Sequence, residues 1–494
     1  HKPVYCGGAS DAFLVKMDIT GVRLWATYYG GAGKEKDGND YQAGVICDTA
    51  KNIYLVGITN SDTGIHTTGT QQTSRAGDYD GFLAKFNKNG LRLWATYYGG
   101  TDKDQFRNVS VDSNGTPYVV GKFQSSNMGT ANTHSQNKPP TGLNKSPLNI
   151  LIAKFNQYTG ARTWATYYGG DDEEQSRGIV VGDTNYVYIC GSTLSDTGIA
   201  TANPQQASIG CAFDMFLAKF DSTGKRIWGT YFGGNGTDHG GNVVIDHKGN
   251  LNVAGITGSD AGIATADAFR LYRNQGNTTT NAFDALIAIY NTQGAKIWST
   301  YYGGTANDYG FGVARGKSYG HIYITGISES TSGIWYNGSQ NTLGGLNDAF
   351  ILKITPDTSV ALAQNTVKNA YCEQDTFTID YVTTEPFRAG NVFTAQLSDA
   401  TGSFVAPYNI GSVSSVGVKE GKIFIKLPPN VSGTKFRIRI VGTAPIDTSY
   451  DNEIDILIKP LPTWPIASNN SPTCSNDTLR LNSTASSAGV AYSW

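Results

Sequence analysis

One seven-residue stretch, Trp-Ala-Thr-Tyr-Tyr-Gly-Gly, constrains the fold of this chain more than any other feature, because it returns at a nearly fixed interval. It occupies residues 25–31 and recurs at 94–100, 164–170, 228–234 (as WGTYFGG) and 298–304 (as WSTYYGG). The intervals are 69, 70, 64 and 70 residues. Self-similarity at a fixed long period indicates a repeat architecture, in which each repeat is one unit of supersecondary structure.

Each repeat carries the signals of two β-hairpins. The first has a strand such as residues 80–86, a turn that ends at Gly90, and then the Trp-containing strand. The glycine supplies the positive φ that such a turn requires. The second hairpin pairs residues 241–246 with residues 250–255 around a short turn. Two hairpins per repeat predict four antiparallel strands.

The Trp-containing strand is apolar on both faces. In residues 24–29, Trp25 and Tyr29 share one face, and Leu24 and Tyr28 share the other. A sheet with two apolar faces must be covered on both sides, as the blades of a β-propeller are. We therefore predict an all-β fold built on a β-propeller of four-stranded blades. A β-solenoid is the main competing fold, but its coils need a period of roughly 20–30 residues.

Two counts of the blades differ. Strands of the Asp-Ala-Phe-Leu kind number six, whereas hairpins of the second kind number five, near residues 41, 106, 176, 240 and 310. Residues 4–7 (Val-Tyr-Cys-Gly) resemble the strand end at 188–191 (Tyr-Ile-Cys-Gly), which suggests that half of a further blade lies upstream or is missing. We expect about six blades, with seven as the alternative.

Three motifs together resemble the SBBP-type β-propeller repeat of secreted bacterial proteins. They are Asp-[Ala/Gly]-Phe-[Leu/Ile]-x-Lys-[Phe/Met], Trp-[Ala/Gly/Ser]-Thr-Tyr-[Tyr/Phe]-Gly-Gly, and a hairpin such as residues 111–116. Asn149 departs from the first motif, and residues 348–353 are not followed by a Trp-containing strand. The resemblance implies export to the cell surface, by the type IX secretion route when the host is one of the Bacteroidota.

The rest of the chain predicts a different β-structure after the propeller of residues 1–356. Residues 357–368 lack strand signals and form a predicted connector. Residues 369–459 contain about seven short alternating strands, which favour an Ig-like β-sandwich. Residues 460–471 are a proline-rich linker, and residues 472–494 resemble the start of a further Ig-like or PKD-like module. Such modules are similar to those of large secreted proteins of the Bacteroidota.

Composition excludes some classes of partner. The formal net charge is −2 and only 16% of residues are charged, so clustered basic surface for nucleic acid or anionic membrane is not expected. No run of 18 apolar residues is present, so we predict no membrane span in this sequence. The sequence begins at His1 without a signal segment, and we expect it to be a mature or truncated piece.

The longest connection in each repeat joins the two hairpins. It begins Ser-Asp-[Thr/Ala]-Gly-Ile at Ser61, Ser195 and Ser259, and as Ser332-Gly-Ile in the last repeat. Beyond this start the loops diverge, and variable loops on a rigid scaffold commonly carry binding. The alternative is that the loops only cover the blade edges. The candidate ligand-binding residues are Asp62, Asp196, Phe269, Arg270, Tyr272, Arg273, Trp335 and Tyr336.

Acidic residues recur after each Gly-Gly pair. Placed as a ring around one end of the propeller axis, Asp40, Asp104, Asp238 and Asp308 would offer calcium the several oxygen ligands it prefers; Glu174 holds the same place in the third repeat. The alternative is that each carboxylate bonds to its own turn. Catalysis on a sugar by two carboxylates is disfavoured because this set repeats with the fold. No cofactor other than calcium is indicated.

Six cysteines are present without a Cys-x-x-Cys pair, which argues against zinc. Cys190 ends one predicted strand and Cys211 precedes the next, so a disulfide between them is one interpretation. The other is that both are small buried side chains.

No motif of a known catalytic class is found, and we predict a protein that is not an enzyme. The favoured function is that of an extracellular cell-surface protein whose propeller head, carried on Ig-like modules, serves adhesion, carbohydrate binding or surface assembly. Its partners would be surface glycans or other cell-surface proteins. The alternatives are a secreted polysaccharide-degrading enzyme with a propeller catalytic domain, and a structural filament or surface-layer subunit.

Overall fold

Two compact units make up the chain: His1–Arg315 with Ile322–Ile354, and Gly316–His321 with Thr355–Trp494. All regular elements in the part of the chain that is described are β-strands, and it contains no helix with the length and hydropathy of a membrane span. The computed structural model describes residues 3–36, 43–143, 145–210, 212–246, 248–266, 268–273, 282–316, 321–334, 338–340, 342–354, 360–363, 367–383, 387, 390–415, 420–443, 446–449, 451–452, 454–461, 466–469 and 481–484.

The first unit is a series of antiparallel sheets that follow one another in chain order. Sheet 1 holds β1 (Ala12–Met17) and β2 (Arg23–Tyr29). Sheet 2 holds β3 (Gly44–Cys47), β4 (Ile53–Thr59), β5 (Asp80–Phe86) and β6 (Arg92–Tyr98). Sheet 3 holds β7 (Asp104–Val111), β8 (Pro117–Phe123), β9 (Asn149–Phe155) and β10 (Arg162–Tyr168).

The later sheets repeat this order. Sheet 4 holds β11 (Glu174–Val181), β12 (Val187–Thr193), β13 (Asp214–Phe220) and β14 (Arg226–Phe232). Sheet 5 holds β15 (Asp238–Ile245), β16 (Leu251–Thr257), β17 (Asp284–Tyr290) and β18 (Lys296–Tyr302). Sheet 6 holds β19 (Asp308–Arg315), β20 (Ile322–Ser328) and β21 (Asp348–Ile354).

The turn between the third and fourth strands confirms the first predicted hairpin. In sheet 2 the side chain of Asn87 accepts hydrogen bonds from the backbone N–H groups of Asn89 (2.9 Å) and Leu91 (3.1 Å). Gly90 takes a φ of +78°, which a residue with a Cβ rarely adopts. The same position is glycine at positive φ in sheets 1 to 5: Gly21, Gly90, Gly160, Gly224 and Gly294.

The repeated tryptophan connects each of sheets 1 to 4 to the sheet that follows it. Its indole N–H donates to a backbone carbonyl in the third-to-fourth-strand turn of the following sheet, so the motif residue serves the interface between repeats. The bonds are Trp25 to Lys88 (3.2 Å), Trp94 to Gln157 (3.0 Å), Trp164 to Ser222 (2.9 Å) and Trp228 to Thr292 (3.1 Å).

Each interface between successive sheets has its own apolar core. Between sheets 2 and 3, Leu83 packs with Phe106 and Phe123, and all three are buried. The ring of Tyr98 stacks on that of Phe106 with centroids 5.5 Å apart. Because a middle sheet has such a core on both faces, its strands are buried along most of their length, as the apolar pattern predicts.

The predicted all-β fold and four-stranded units are therefore confirmed. Sheets 2 to 5 have four strands each, whereas sheets 1 and 6 have two and three among the residues that the structure describes. The two outer faces differ from the inner ones. Phe13 of sheet 1 is 68% exposed and Ile351 of sheet 6 is 77% exposed, while their equivalents in sheet 2, Phe82 and Leu83, are buried.

The second unit contains short strands around one core. Its described strands are β22 (Val360–Leu362), β23 (Ala370–Cys372), β24 (Thr376–Thr383), β25 (Asn391–Leu397), β26 (Tyr408–Ser415), β27 (Glu420–Lys426), β28 (Gly433–Phe436), β29 (Ile438–Thr443), β30 (Ile446–Thr448), β31 (Ile456–Lys459), β32 (Ile466–Asn469) and β33 (Leu481–Thr484). Their orders are β22-β24-β27, β23-β31-β28, β26-β25-β29-β30 and β32-β33.

The chain changes sheets at Arg437, between β28 and β29. Phe436 and Ile438 on either side are buried in the core of the second unit. Arg437 itself forms ion pairs with Asp455 (2.9 Å) and Asp451 (3.5 Å). Two sheets that are joined in this way around one core are consistent with the predicted sandwich. The Ig-like character of the sandwich stays a prediction.

Candidate functional site

The long loops join the second and third strands of sheets 2 to 6, at the same end of each sheet as the Gly-Gly connections. They are loop 2 (60–79), loop 3 (124–148), loop 4 (194–213), loop 5 (258–283) and loop 6 (329–347). In an antiparallel four-stranded sheet this end is opposite the two short turns. The loops therefore share one end of the first unit, which is where the sequence places recognition.

The shared start of each loop is an anchor. In loop 2 the hydroxyl of Ser61 donates to Glu35 Oε1 (2.6 Å), and Ile65 is buried with its carbonyl accepting from Tyr29 Oη (2.9 Å). In loop 6 the equivalent serine is Ser330, which donates to Asp308 (2.7 Å). The motif of the last loop therefore begins at Ser330, two residues before the Ser332 expected from the sequence.

The loop backbones also cover the edges of the fourth strands. In sheet 2, Thr67 N–H donates to Ala95 O (2.8 Å), and Tyr97 N–H donates to Gln72 O (3.1 Å). An uncovered edge strand would present unpaired backbone groups to other chains. Edge covering, which the sequence left as the alternative role of the loops, is thus present in the structure, and recognition would depend on the side chains that still point to solvent.

Several predicted ligand-binding residues are partners within the loops. Asp62 pairs with Arg75 (2.8 Å), and Asp260 pairs with Arg273 (2.7 Å), the two pairs having the same thirteen-residue spacing. Arg273 is buried and also donates to the carbonyl of Ala282. Each pair joins two positions of its loop, and the ligand-binding roles of Asp62 and Arg273 stay predictions.

Asp196 and Arg270, two further predicted ligand-binding residues, differ in how far they are bonded within the fold. Asp196 is largely exposed, with Lys145 Nζ at 3.7 Å. Arg270 donates through its backbone N–H to Thr300 Oγ1 (2.9 Å), and its guanidinium donates to the carbonyl of Gly303. Trp335 and Tyr336 lie outside the described residues.

Loop 5 differs from loops 2 and 4 at three exposed positions. Gln72, Ser135, Gln206 and Arg270 are equivalent, because each donates its N–H to the threonine of the fourth strand. The neighbours of Gln72 and Gln206 are small or polar: Gln71, Thr73, Ser74, Gln205, Ala207 and Ser208.

In loop 5 the same three positions hold Phe269, Leu271 and Tyr272, exposed to 67%, 45% and 72%. Phe269 lies 6.4 Å from the ring of Tyr302, measured between centroids. Sequence reasoning selected Phe269 and Tyr272 but missed Leu271. Aligning the loops on the residue whose N–H donates to the threonine of the fourth strand would have identified all three.

The acidic residues after Gly-Gly are buried and bonded to their own connections. Asp104 accepts from Gly100 N–H (2.7 Å) and Ser125 N–H (3.1 Å), and Asp238 accepts from Gly234 N–H (2.8 Å) and Ser259 Oγ (2.6 Å). Burial raises the pKa of both carboxyls. These contacts are those of the turn-bonding alternative.

This geometry does not bring the described residues of the predicted calcium ring together. In the part of the chain that the structure describes, no three His, Cys, Asp or Glu side chains are grouped closely enough to hold a metal ion. Asp104, Asp238 and Asp308 each serve a different sheet boundary, and Asp40 lies outside the described residues. At the boundary between sheets 1 and 2 the equivalent carboxylate is that of Glu35, which accepts hydrogen bonds from the hydroxyls of Thr59 and Ser61. The sequence feature that identifies Glu35 is its position four residues after Gly-Gly, the same spacing as that of Asp104.

The predicted Cys190–Cys211 disulfide is not formed, because Cys190 is a free thiol. Its side chain is fully buried between sheets 4 and 5, in the core that includes Val243. Burial raises the pKa of the Cys190 thiol to about 12. Cys211 lies outside the described residues. The interpretation of Cys190 as a small buried side chain is the one that holds.

Comparisons with known proteins support the fold. No family model matches the chain. An uncharacterized WD repeat-containing protein of Acanthamoeba polyphaga mimivirus is 22% identical over 395 residues, 69% of this chain and 28% of the relative. The regulatory protein FlaEY of Caulobacter vibrioides is 25% identical over 250 residues, 46% of this chain and 24% of that relative. The chain thus spans about a quarter of each relative.

The successive four-stranded antiparallel sheets and the WD-repeat relative together define a class: this is an all-β repeat protein of the β-propeller type.

Proposed function

We propose that the chain is a non-catalytic, extracellular binding protein of the SBBP-like kind, in which the loop end of the propeller contacts a surface glycan or another cell-surface protein. The observation that carries this proposal is the exposed set Phe269, Leu271 and Tyr272 in loop 5. Repeated positions serve the fold, whereas a departure confined to one repeat is where a ligand would select side chains. The predicted Ig-like modules would carry the propeller at a cell surface.

The chemistry of this set suits a sugar or a protein surface. Aromatic rings offer large apolar area, and the Tyr272 hydroxyl adds a polar group. Rigid presentation lowers the entropy cost of binding. Here Arg270 is bonded to Thr300 on one side of Leu271, and Arg273 is paired with Asp260 on the other. The backbone under the exposed side chains is thus fixed from both directions.

Catalysis has less support in the described residues. Burial raises the pKa of Asp214 to about 7 and that of Glu174 to about 7, values that would suit proton transfer. Both side chains, however, are fully buried between sheets. A polysaccharide could not reach them without separating the repeats.

The test is binding of the full chain to a panel of bacterial, algal and host polysaccharides and to whole bacterial cells, with released reducing sugar measured in the same mixtures. The decisive variant carries Phe269→Gln, Leu271→Thr and Tyr272→Ser, which introduces the residues that loop 2 has at the equivalent positions. The control is Tyr158→Ser, because Tyr158 is as exposed but lies in a short turn at the opposite end of its sheet.

We expect the triple variant to lose at least tenfold in affinity while the control keeps wild-type binding. Equal loss in both variants, or none in either, would refute the assignment to loop 5. Sugar release would refute the non-catalytic proposal.

A second candidate, a subunit of a surface assembly, is favoured by the outer faces of sheets 1 and 6. Phe13 and Ile351 are exposed there, although the same positions are buried wherever two sheets meet. The two faces are the two halves of one repeated interface, so copies of the chain would join head to tail. Sedimentation at rising concentration should show oligomers that Ile351→Lys abolishes; a wild-type monomer throughout would exclude this candidate.

A further inference from the structure

Two polar side chains meet at every boundary between successive sheets of the first unit, and at four of the five boundaries both are carboxyl groups. One position is at the start of the third strand of a sheet, or just before that strand. The other is the carboxylate four residues after the Gly-Gly pair that leads from that sheet to the next. Both lie beside the first glycine of that pair: a Cβ on Gly99 would stand 2.6 Å from Asp80 Oδ1 and 3.1 Å from Asp104 Oδ2. The pairs are Asp11 with Glu35, Asp80 with Asp104, Asn149 with Glu174, Asp214 with Asp238, and Asp284 with Asp308.

The third boundary shows what such a pair needs. There an amide replaces one carboxyl, and Asn149 Nδ2 donates to Glu174 Oε2 (3.0 Å). Glu174 also accepts from Thr193 Oγ1 (2.8 Å), from the hydroxyl of Ser195 and from Gly170 N–H (3.2 Å). The hydrogen between the two side chains belongs to Asn149, and both oxygens of Glu174 have donors.

At the fourth boundary both positions are aspartate and no amide hydrogen exists between them. Asp214 and Asp238 are fully buried. Asp214 Oδ2 accepts from Gly210 N–H (2.8 Å) and Gln206 Nε2 (2.9 Å), and Asp238 Oδ2 accepts from Gly234 and Ser259. The Oδ1 atoms of both have no hydrogen-bond partner.

Two buried carboxylates side by side, each with an unpartnered oxygen, would carry a large electrostatic penalty. A hydrogen placed between them removes it.

We propose that the first and fourth boundaries, where both carboxyl groups have an oxygen without a hydrogen-bond partner, each bind one proton at neutral pH, shared between the two side chains in the place that the Asn149 amide hydrogen occupies in the third boundary. One carboxyl O–H then donates to the other carboxylate, and the pair carries a single negative charge. The first unit thereby contains a proton site in each of these two sheet interfaces.

The surroundings of the fourth pair agree with this assignment. The charged or titratable groups that face it are Arg273, which lies near Asp238, and the phenols of Tyr231 and Tyr301. Burial, with the neighbouring Asp238 charge, raises the pKa of Asp214 to about 7. At the first boundary burial raises the pKa of Glu35 to about 7, with Asp11 adding to the effect.

The sign of the pH dependence follows. An unfolded Asp releases its proton near pH 3.9, whereas the folded pair keeps one until about pH 7. Between these values the folded state holds more protons, so stability falls as pH rises and levels off above the folded pKa. Each retained proton changes the unfolding equilibrium constant by a factor of up to about ten per pH unit.

The experiment measures denaturant unfolding of the full chain from pH 5 to pH 8 in wild type, Asp214→Asn, Asp238→Asn and the double variant. Either single amide supplies the missing hydrogen permanently, so each single variant should reduce the pH slope by one proton. The double variant should reduce it no further, because only one proton is shared. Slopes that add in the double variant would overturn the shared proton and leave two independently buried acids.

A reverse variant and a spectroscopic reading complete the test. Asn149→Asp should steepen the slope by one proton, since it replaces the amide hydrogen that Glu174 accepts with a second carboxyl group; an unchanged slope would count against the proposal. Infrared difference spectra at pH 6 should show a protonated-carboxyl band that weakens in Asp214→Asn, which decides the matter even if the double variant does not fold. Stabilisation of wild type by calcium, lost in both single variants, would replace the proton with a cation and overturn the proposal.

Discussion

Trp94 in sheet 2 donates its indole N–H to the carbonyl of Gln157 in sheet 3 (3.0 Å), and its ring lies against Gly160 of the same turn. A Cβ on Gly160 would stand 2.7 Å from that ring. The glycine therefore has two reasons to be there, its φ of +69° and the tryptophan of the preceding repeat. The repeated tryptophan and the repeated turn glycine thus belong to the same interface between successive sheets.

Replacement of this tryptophan should weaken the boundary between sheets 2 and 3. Trp94→Ala should lower the free energy of unfolding by about 3–5 kcal/mol, because the buried ring leaves a cavity. Trp94→Phe should cost about 1 kcal/mol, the usual value of a lost hydrogen bond, since Lys85 still donates to Gln157 O (2.9 Å). Trp25→Ala is the control, because Trp25 makes the same contact but is only half-buried; an equal cost would contradict this account.

Gly99, the first glycine of the Gly-Gly pair after sheet 2, should be required for space, not for backbone conformation. A Cβ on Gly99 would stand 2.6 Å from the carboxyl of Asp80 in a filled interior. Gly99→Ala should therefore cost about 1–3 kcal/mol, the range for overpacking. Gly345→Ala, at an exposed glycine with open space around it, should change stability by less than about 0.5 kcal/mol. Denaturant unfolding of both variants checks this, and a neutral Gly99→Ala would show that the interface can relax.

Thiol reactivity should separate the cysteines of the first unit. Cys47 is exposed, whereas Cys190 is fully buried with its pKa raised to about 12. The thiolate is the reactive species, so iodoacetamide at pH 8 should modify Cys47 in the native protein and Cys190 only after denaturation. Mass spectrometry of tryptic peptides gives the result, and modification of native Cys190 would show that the sheet 4–sheet 5 core opens.

The sequence was sufficient for the repeat unit because its signals are local. Turn glycines, strand alternation and the Gly-Gly spacing all act within a few residues, so the four-stranded sheets and their order could be predicted. Contacts between distant positions of the sequence were not readable in the same way. Ser61 and Glu35 are 26 residues apart, and nothing in their neighbours indicates that they bond.

The candidate site shows the same limit. Phe269 and Tyr272 stood out as aromatic residues in a polar loop, but Arg273 looked equally available and is in fact bonded to Asp260. Distinguishing an exposed side chain from a loop-fixing one needs the three-dimensional position of a residue thirteen places away. Leu271 was missed because a single leucine carries no signal until the loops are superposed.

Ser299 compensates for a missing hydroxyl in the preceding sheet. Tyr29, Tyr98 and Tyr168 each donate to the carbonyl that anchors the next long loop, but the equivalent of these residues before loop 5 is Phe232. The carbonyl of Ile263 instead accepts from Ser299 Oγ and from Lys296 Nζ (3.2 Å). Ser299 stands where the other repeats have Ala or Gly.

This relationship predicts a non-additive pair. Ser299→Ala alone should cost about 1 kcal/mol, because Ile263 O keeps only the lysine. In the Phe232→Tyr background the new hydroxyl takes the carbonyl, so Ser299→Ala should cost about 0.3 kcal/mol or less there. Denaturant unfolding of the wild type, the two single variants and the double variant gives the coupling energy. Additive free energies would mean that the introduced phenol hydroxyl cannot reach the carbonyl and that the serine is unrelated to the lost tyrosine.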